Sequence, residues 1–321
     1  MGKTPLVSFV VMCYRTERYV AECIDSILGQ NRDFDWEAIA VDDCSPDRTA
    51  EILRGYNDPR LRVIVHAKNA GHLQTVTTCL TEARGKYIAR IDSDDRYRPG
   101  FLEAMVPILE RHPEVGMAYA EAAIIDPHGA FGPNTDSGHG GREFKGNELV
   151  RLLGLNFVCA PTMIARREAW LAHLPIPKND LAFSDWYFTV NMARHWEFFY
   201  LPQVVADYRV HPGNLHSRTV LDGSEERSVR WMLEQVFSTP EQDPELERAK
   251  QAARADIMAG QLLIYARKYF GARKTEDARR LFLEAARYKP TSLMSPEPMR
   301  HFLATFLPPE RYARLKAVLK R

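Results

Sequence analysis

Two acidic clusters hold the residues of this 321-residue chain best suited to chemistry: Asp92-Ser93-Asp94-Asp95 and Asp42-Asp43. At a strand end, the alternate residues of an Asp-x-Asp triplet project their carboxylates in one direction. Hard divalent ions such as Mg2+ or Mn2+ take oxygen ligands of this kind and share their coordination with substrate phosphates. A carboxylate at 42 or 43 can accept a hydrogen bond from a nucleobase N–H or a ribose hydroxyl. Taken alone, each cluster also reads as an acidic turn that caps the following helix. Two clusters at strand ends of one sheet point instead to a nucleotide site. Other nucleotide-binding schemes find no support. Met12-Cys13-Tyr14-Arg15 stands where a GxGxxG would follow the first strand, and no GxxxxGK[ST] occurs. Farther along, Ser184-Asp185 reads by itself as a helix N-cap. His211 precedes Pro212-Gly213, a turn whose flexibility suits a lid.

The elements that must position these residues alternate between strand and helix. Strands are expected at 6–13, 36–41, 61–65, 86–91 and 115–125, with helices at about 17–29 and 72–83 and another opened by Pro99. Ser45 is expected to cap a helix with Pro46 at its first position, and Gly85 to close the helix that ends near Ala83. This rhythm implies a mostly parallel sheet with helices on both faces, whose ligands bind beyond the carboxyl ends of the strands. Residues 126–142 carry five glycines and two prolines and read as a loop long enough to be a functional or mobile segment. From about 225 the chain becomes helical, which sets a boundary between a domain 1–225 and an extension 226–321. Within the extension, 259–290 resembles a single tetratricopeptide unit hinged near Gly271.

Composition narrows the setting. The chain is 45% apolar and 26% charged with a net charge of +1, which fits a globular protein and gives no overall field that selects nucleic acid. The charge is uneven: residues 260–321 hold fourteen Lys/Arg against five Asp/Glu. Five widely spaced cysteines without a CxxC pair suit a reducing compartment. The expected location is cytoplasmic, with peripheral membrane contact through 311–321, where Leu315, Val318 and Leu319 form an apolar stripe among basic residues.

The motifs in sequence order, 6–15, Val41-Asp42-Asp43-Cys44-Ser45-Pro46-Asp47, Asn69-Ala70-Gly71 and 85–95, resemble the successive signatures of family 2 glycosyltransferases over about residues 5–215. The family commonly has Asn where Arg15 stands, Gly where Cys44 stands, and an acidic residue where Ser184 stands. The resemblance implies an α/β GT-A (Rossmann-like) fold and inverting transfer from a nucleoside-diphosphate sugar to a glycan or lipid-linked acceptor, with uridine the expected nucleoside and thymidine or guanosine left open by Cys13, Arg15 and Cys44. It also implies site roles. Tyr14, Asn69 and Gly71 would lie near the base and ribose, which Asp42 or Asp43 would hold. Asp92 would contact the ribose or a metal-bound water. Asp94 would hold Mg2+ or Mn2+, with His211 either a second ligand or a phosphate contact. Lys68 or Arg90 would approach the phosphates, and Asp185 would serve as general base. Two other classes compete. A sugar-phosphate nucleotidyltransferase would carry a glycine-rich loop after the first strand, which Tyr14-Arg15-Thr16-Glu17 lacks. A non-catalytic nucleotide-sugar-binding scaffold would bind without turnover.

Overall fold

Val7–Cys13 (β1) and Trp36–Asp42 (β2) are buried along their whole length, as strands covered on both faces must be. They belong to a computed structural model that describes residues 4–31, 33–178, 180–213 and 222–307. The remaining strands are Leu61–Val65 (β3), Tyr87–Asp92 (β4), Arg96–Tyr97 (β5), Val115–Ile125 (β6), Phe131–Asn134 (β7), Phe144–Gly146 (β8), Ile164–Arg166 (β9) and Glu197–Arg209 (β10). They form one sheet in the order β3-β2-β1-β4-β9-β6-β10-β5, with β7 on β6 and β8 on β10. Every strand of five or more residues points the same way, and the four shorter ones run against them. All the long strands therefore end on one side of the molecule. The helices Val20–Leu28 (α1), Thr49–Arg54 (α2), His72–Glu82 (α3) and Phe101–Arg111 (α4) intervene. In α1 the buried residues Val20, Cys23, Ile24 and Ile27 form the apolar stripe that a 3.6-residue period requires.

The chain divides into two compact units, one of Met1–Glu148 with Asn156–Pro212, the other of Leu149–Leu155 with Gly213–Arg321. The helix Leu149–Gly154 (α5), which lies inside the expected first domain, thus belongs with the second unit, where Gln261 Nε2 donates to the Leu153 and Gly154 carbonyls. The helices Arg167–Leu171 (α6) and Asp185–Ala193 (α7) complete the first unit. The second contains Ser224–Ser238 (α8), Pro244–Gly271 (α9), Thr275–Tyr288 (α10) and Pro296–Ala304 (α11). Helix α9 starts on an Asp243 cap with Pro244 at its first position, well before residue 259. Ala278, Leu281, Phe282 and Ala285 form the buried face of α10. No helix among the described residues is long and apolar enough to cross a membrane. The basic stretch 311–321 lies outside the described residues.

Three local expectations change. Helix α2 begins at Thr49 and not behind Ser45; Asp47 Oδ1 accepts from the Thr49 amide and hydroxyl, while Ser45 turns back to Asp42. Gly85 is not a helix cap. A Cβ there would lie 2.5 Å from the Ser8 amide nitrogen, so glycine is needed for close approach to β1. The 126–142 segment is anchored, since β7 pairs with β6 and both Thr135 Oγ1 and the Ser137 amide donate to buried Glu121.

Candidate active site

Strand register brings the two acidic clusters together. Cys13 at the end of β1 is opposite Asp42 on one side, and Met12 is opposite Asp92 on the other. With strands about 4.8 Å apart, the clusters flank β1 at a separation of about 10 Å. The Ser93 amide donates to the Met12 carbonyl, so the Asp92–Asp95 turn continues along the β1 edge.

The carboxylates at 42 and 43 shape loops. Asp42 accepts from the Ser45 amide at 2.9 Å and the Ser45 hydroxyl at 2.5 Å. Asp43 accepts from the amides of Ala70 and Gly71, each at 2.8 Å, and its Oδ1 lies 2.8 Å from His66 Nδ1. Asn69 donates to the Asp43 carbonyl. Asp43 therefore ties the Asn69-Ala70-Gly71 loop to the sheet, and Gly71 turns it with φ +89° into α3. Lys68 and Asn69 are exposed on this loop. Tyr14 is exposed at the rim, with the Arg15 guanidinium 5.3 Å from its ring. Arg15 and Cys44 adopt φ +57° and +56°, the left-handed region in which Asn and Gly are the residues best tolerated.

The Asp-x-Asp turn meets the end of β10. Asp94 Oδ2 lies 3.0 Å from His211 Nε2, and the His211 ring packs 5.1 Å from that of Tyr19. Burial first, then the charge of Asp92, push the Asp94 carboxyl above the usual carboxylate range. Asp95 is pushed up more strongly, by burial and then by Asp94. Arg209 clips this turn in place. Its amide donates to Asp95 Oδ1, its Nε to the Asp94 carbonyl and its side chain to Glu22 Oε2 and the Asp126 carbonyl. No group of three or more His, Cys, Asp or Glu side chains among the described residues is arranged to hold a metal ion by itself.

The expected base follows Ser184, which Arg90 links to Asp92. Asp185 opens α7, and its Oδ2 accepts from Asn156 Nδ2 at 3.0 Å. Ser184 holds the N-cap position, yet its hydroxyl makes no cap hydrogen bond. It accepts from Arg90 Nη1 at 2.9 Å and lies 2.7 Å from His72 Nε2. Arg90 is buried within β4 rather than exposed toward a phosphate, and its Nη2 is 3.7 Å from Asp92 Oδ1.

Residues 8–174 match the glycosyl transferase family 2 profile, half of the chain. The chain belongs to glycosyl transferase family 2. It is 32% identical over 210 residues to an uncharacterized protein of Mycobacterium bovis, covering 64% of this chain and 59% of that one. The chain thus spans about three fifths of the length of the curated relatives it matches. It is 28% identical over 222 residues to an uncharacterized glycosyltransferase of Haemophilus influenzae, covering 66% and 67% of the two chains. Among solved structures, the S. aureus TarS fragment 1–349 in complex with UDP-GlcNAc has a similar fold, with TM-score 0.65, 18% identity and coverage of 94% and 89%. The mannosyltransferase PcManGT of Pyrobaculum calidifontis, solved with GDP-Man and Mn2+, has TM-score 0.60, 18% identity and coverage of 94% and 86%. These likenesses make the fold that of GT-A glycosyltransferases.

The candidate residues thus fall into three groups on this family fold. Asp43, Asn69 and Gly71 form one loop assembly beside the Asp42–Ser45 turn, Asp94 and His211 a second, and Asp185 with Asn156 a third. Sequence reasoning missed Arg209, Asn156 and His72. Nothing in the local pattern distinguishes them, because their partners lie far away along the chain.

Proposed function

We propose that this chain is an inverting glycosyltransferase that moves a hexosyl or N-acetylhexosaminyl group from a nucleoside-diphosphate sugar to a hydroxyl of a glycan or lipid-linked acceptor. The observation that carries this reading is the pairing of Asp94 with His211 beside Asp92, at the shared carboxyl ends of the parallel strands. A 3.0 Å separation of Asp94 Oδ2 and His211 Nε2 suits neighbouring ligands about 2.1 Å from an octahedral divalent ion. Two protein donors also leave room for diphosphate oxygens, the usual partners of Mg2+ or Mn2+. The residues fit such an ion. When bound, it supplies Lewis-acid stabilisation of the departing diphosphate.

The chain's own groups do the rest. Asp43 holds the 69–71 loop, and Asp42 the Ser45 turn, as walls for the base and ribose beside Tyr14. Asp92 faces the ribose. Arg209 keeps the Asp92–Asp95 turn against β10, so that Asp94 is already positioned before the donor arrives. Asp185 accepts the proton of the acceptor hydroxyl as it attacks the anomeric carbon, opposite the leaving diphosphate. A base so placed contributes about 10²–10⁴-fold. One displacement inverts the anomeric configuration. Support for a uridine donor comes from the family resemblance and from TarS, solved with UDP-GlcNAc; PcManGT, solved with GDP-Man, is the counterexample.

A panel of UDP-, dTDP- and GDP-sugars, read by nucleoside diphosphate release with Mn2+, Mg2+ or chelator, tests the whole reading. Metal-dependent diphosphate release from a UDP-sugar is expected. Pyrophosphate release would instead indicate a nucleotidyltransferase, and binding without turnover a scaffold. Tighter calorimetric binding of GDP than of UDP would overturn the uridine assignment. For the basic stretch 311–321, we propose peripheral contact with anionic lipid, checked by sedimentation with anionic and neutral vesicles.

A further inference from the structure

Arg90 is a costly residue to place in the middle of a sheet. It faces Val10 across the β1–β4 ladder, and its side chain is only 2% exposed. Such a guanidinium is ordinarily satisfied by a carboxylate in a two-pronged pair. Here, among the described residues, one firm hydrogen bond, to Ser184 Oγ at 2.9 Å, is joined only by Asp92 at 3.7 Å, and the buried Nε has no partner. A purely structural cation would be better served.

Its position explains what the arrangement achieves. Strand alternation puts Arg90 and Asp92 on the same face of β4, so the guanidinium lies directly behind Asp92. Its other end meets Ser184, the residue immediately before Asp185. The Ser184 carbonyl accepts from the Phe188 amide, so Ser184 also fixes the first turn of α7. His72, the first residue after the Asn69-Ala70-Gly71 loop, reaches the same hydroxyl at 2.7 Å. Burial first, then the Arg90 charge, hold the His72 imidazole below its ordinary value. The Ser184 oxygen thus accepts from Arg90 Nη1 and lies within hydrogen-bond distance of His72 Nε2. The hydroxyl is thereby held in one orientation by two neighbours on different elements.

We infer that Arg90 is a positioning residue that acts through Ser184 to set the start of α7, and with it Asp185, against the Asp92 strand end. This assignment rests on the transferase reading, in which Asp185 is the base and Asp92 borders the donor. The distance between attacking hydroxyl and donor is then governed by a buried link that touches neither substrate.

The test uses the full chain and the panel donor it turns over fastest, with nucleoside diphosphate release as the readout. Ser184→Ala removes the link and Ser184→Thr keeps the hydroxyl. Ser184→Ala is expected to lower kcat about tenfold with donor KM within twofold of the unaltered enzyme and an unchanged melting temperature, and Ser184→Thr to recover most of that loss. Arg90→Lys should lower kcat similarly, and the Arg90→Lys/Ser184→Ala pair should lose no more than the worse single variant. Should Arg90→Lys fail to fold, the Ser184 pair alone decides. A Ser184→Ala enzyme with kcat within twofold, or one whose loss lies in donor KM, overturns the assignment. So do additive losses in the double variant. If the unaltered enzyme releases no diphosphate from any donor, the transferase reading itself fails and takes this one with it.

Discussion

Two buried cations, one in each unit, are handled in opposite ways. Lys250 in α9 is fully buried, and its ammonium reaches the Val236 and Thr239 carbonyls and the carboxylates of Glu241 and Glu247 at 2.7–3.0 Å. Arg90 has one firm bond, one carboxylate at 3.7 Å and a buried Nε without a partner. Buried polar groups in native proteins are nearly always satisfied, and exceptions mark strain or function. Among the described residues, Asp95 Oδ2 and Asn156 Oδ1 are also buried without a partner, each beside an expected site residue. The lesson is confined to these two cations: Lys250 is spent on holding its helices together, whereas Arg90 keeps binding capacity in reserve beside Asp92.

That contrast breaks or sharpens under mutation, beginning with the largest effect. Asp94→Asn should reduce diphosphate release by about 10⁴-fold, the several kcal/mol that a bound cation contributes to a departing diphosphate, with the melting temperature unchanged. A variant that unfolds instead would make the rim structural and erase the distinction. Lys250→Met should do the reverse. It strands the buried Glu241 carboxylate, so chemical denaturation should report a loss of about 3–5 kcal/mol. Turnover per folded molecule should stay the same, and a specific activity loss would tie the helices to catalysis.

Asp185→Asn is expected to lower transfer by about 10²–10³-fold while calorimetric affinity for the donor nucleotide is kept, since only proton acceptance is lost. An equal loss of donor affinity would move Asp185 to the donor side. The smallest effect is a gain. Cys44→Gly relieves a left-handed backbone and should raise stability by about 0.5–1 kcal/mol, after the entropy that glycine adds to the unfolded chain. Thermal melting should rise by about 1–3 °C. No rise would mean that the Asp42–Ser45 turn imposes its conformation without strain.

Much of the first unit was legible before folding. Runs such as Val7–Cys13 and Ala38–Val41 are apolar enough to require cover on both faces, and the helical spacing of Val20, Cys23, Ile24 and Ile27 is unmistakable. Ser45 misled because its side chain can serve a helix amide or a neighbouring carboxylate, and Asp42 won. Ser184 does stand at the N-cap of a helix that starts at Asp185, but its hydroxyl is taken by Arg90, 94 positions away. Ser45 was settled by a carboxylate three residues away, and Ser184 by a partner that local spacing does not show.

The sequence by itself determined the order of strands and helices, the placement of acidic residues at strand ends, and the family to which the motifs belong. These follow from periodicity and from short motifs, which act over a few residues. Only the tertiary structure decided that Asp43 secures the Asn69–Gly71 loop, that Asp94 meets His211 and not a free solvent face, and that Arg90 joins Asp92 to the start of α7. Those are pairings across tens to more than a hundred residues. They exist because the parallel strands end on one side and fold distant segments onto a common rim, where hydrogen bonds at about 3 Å choose among neighbours that the linear chain keeps apart.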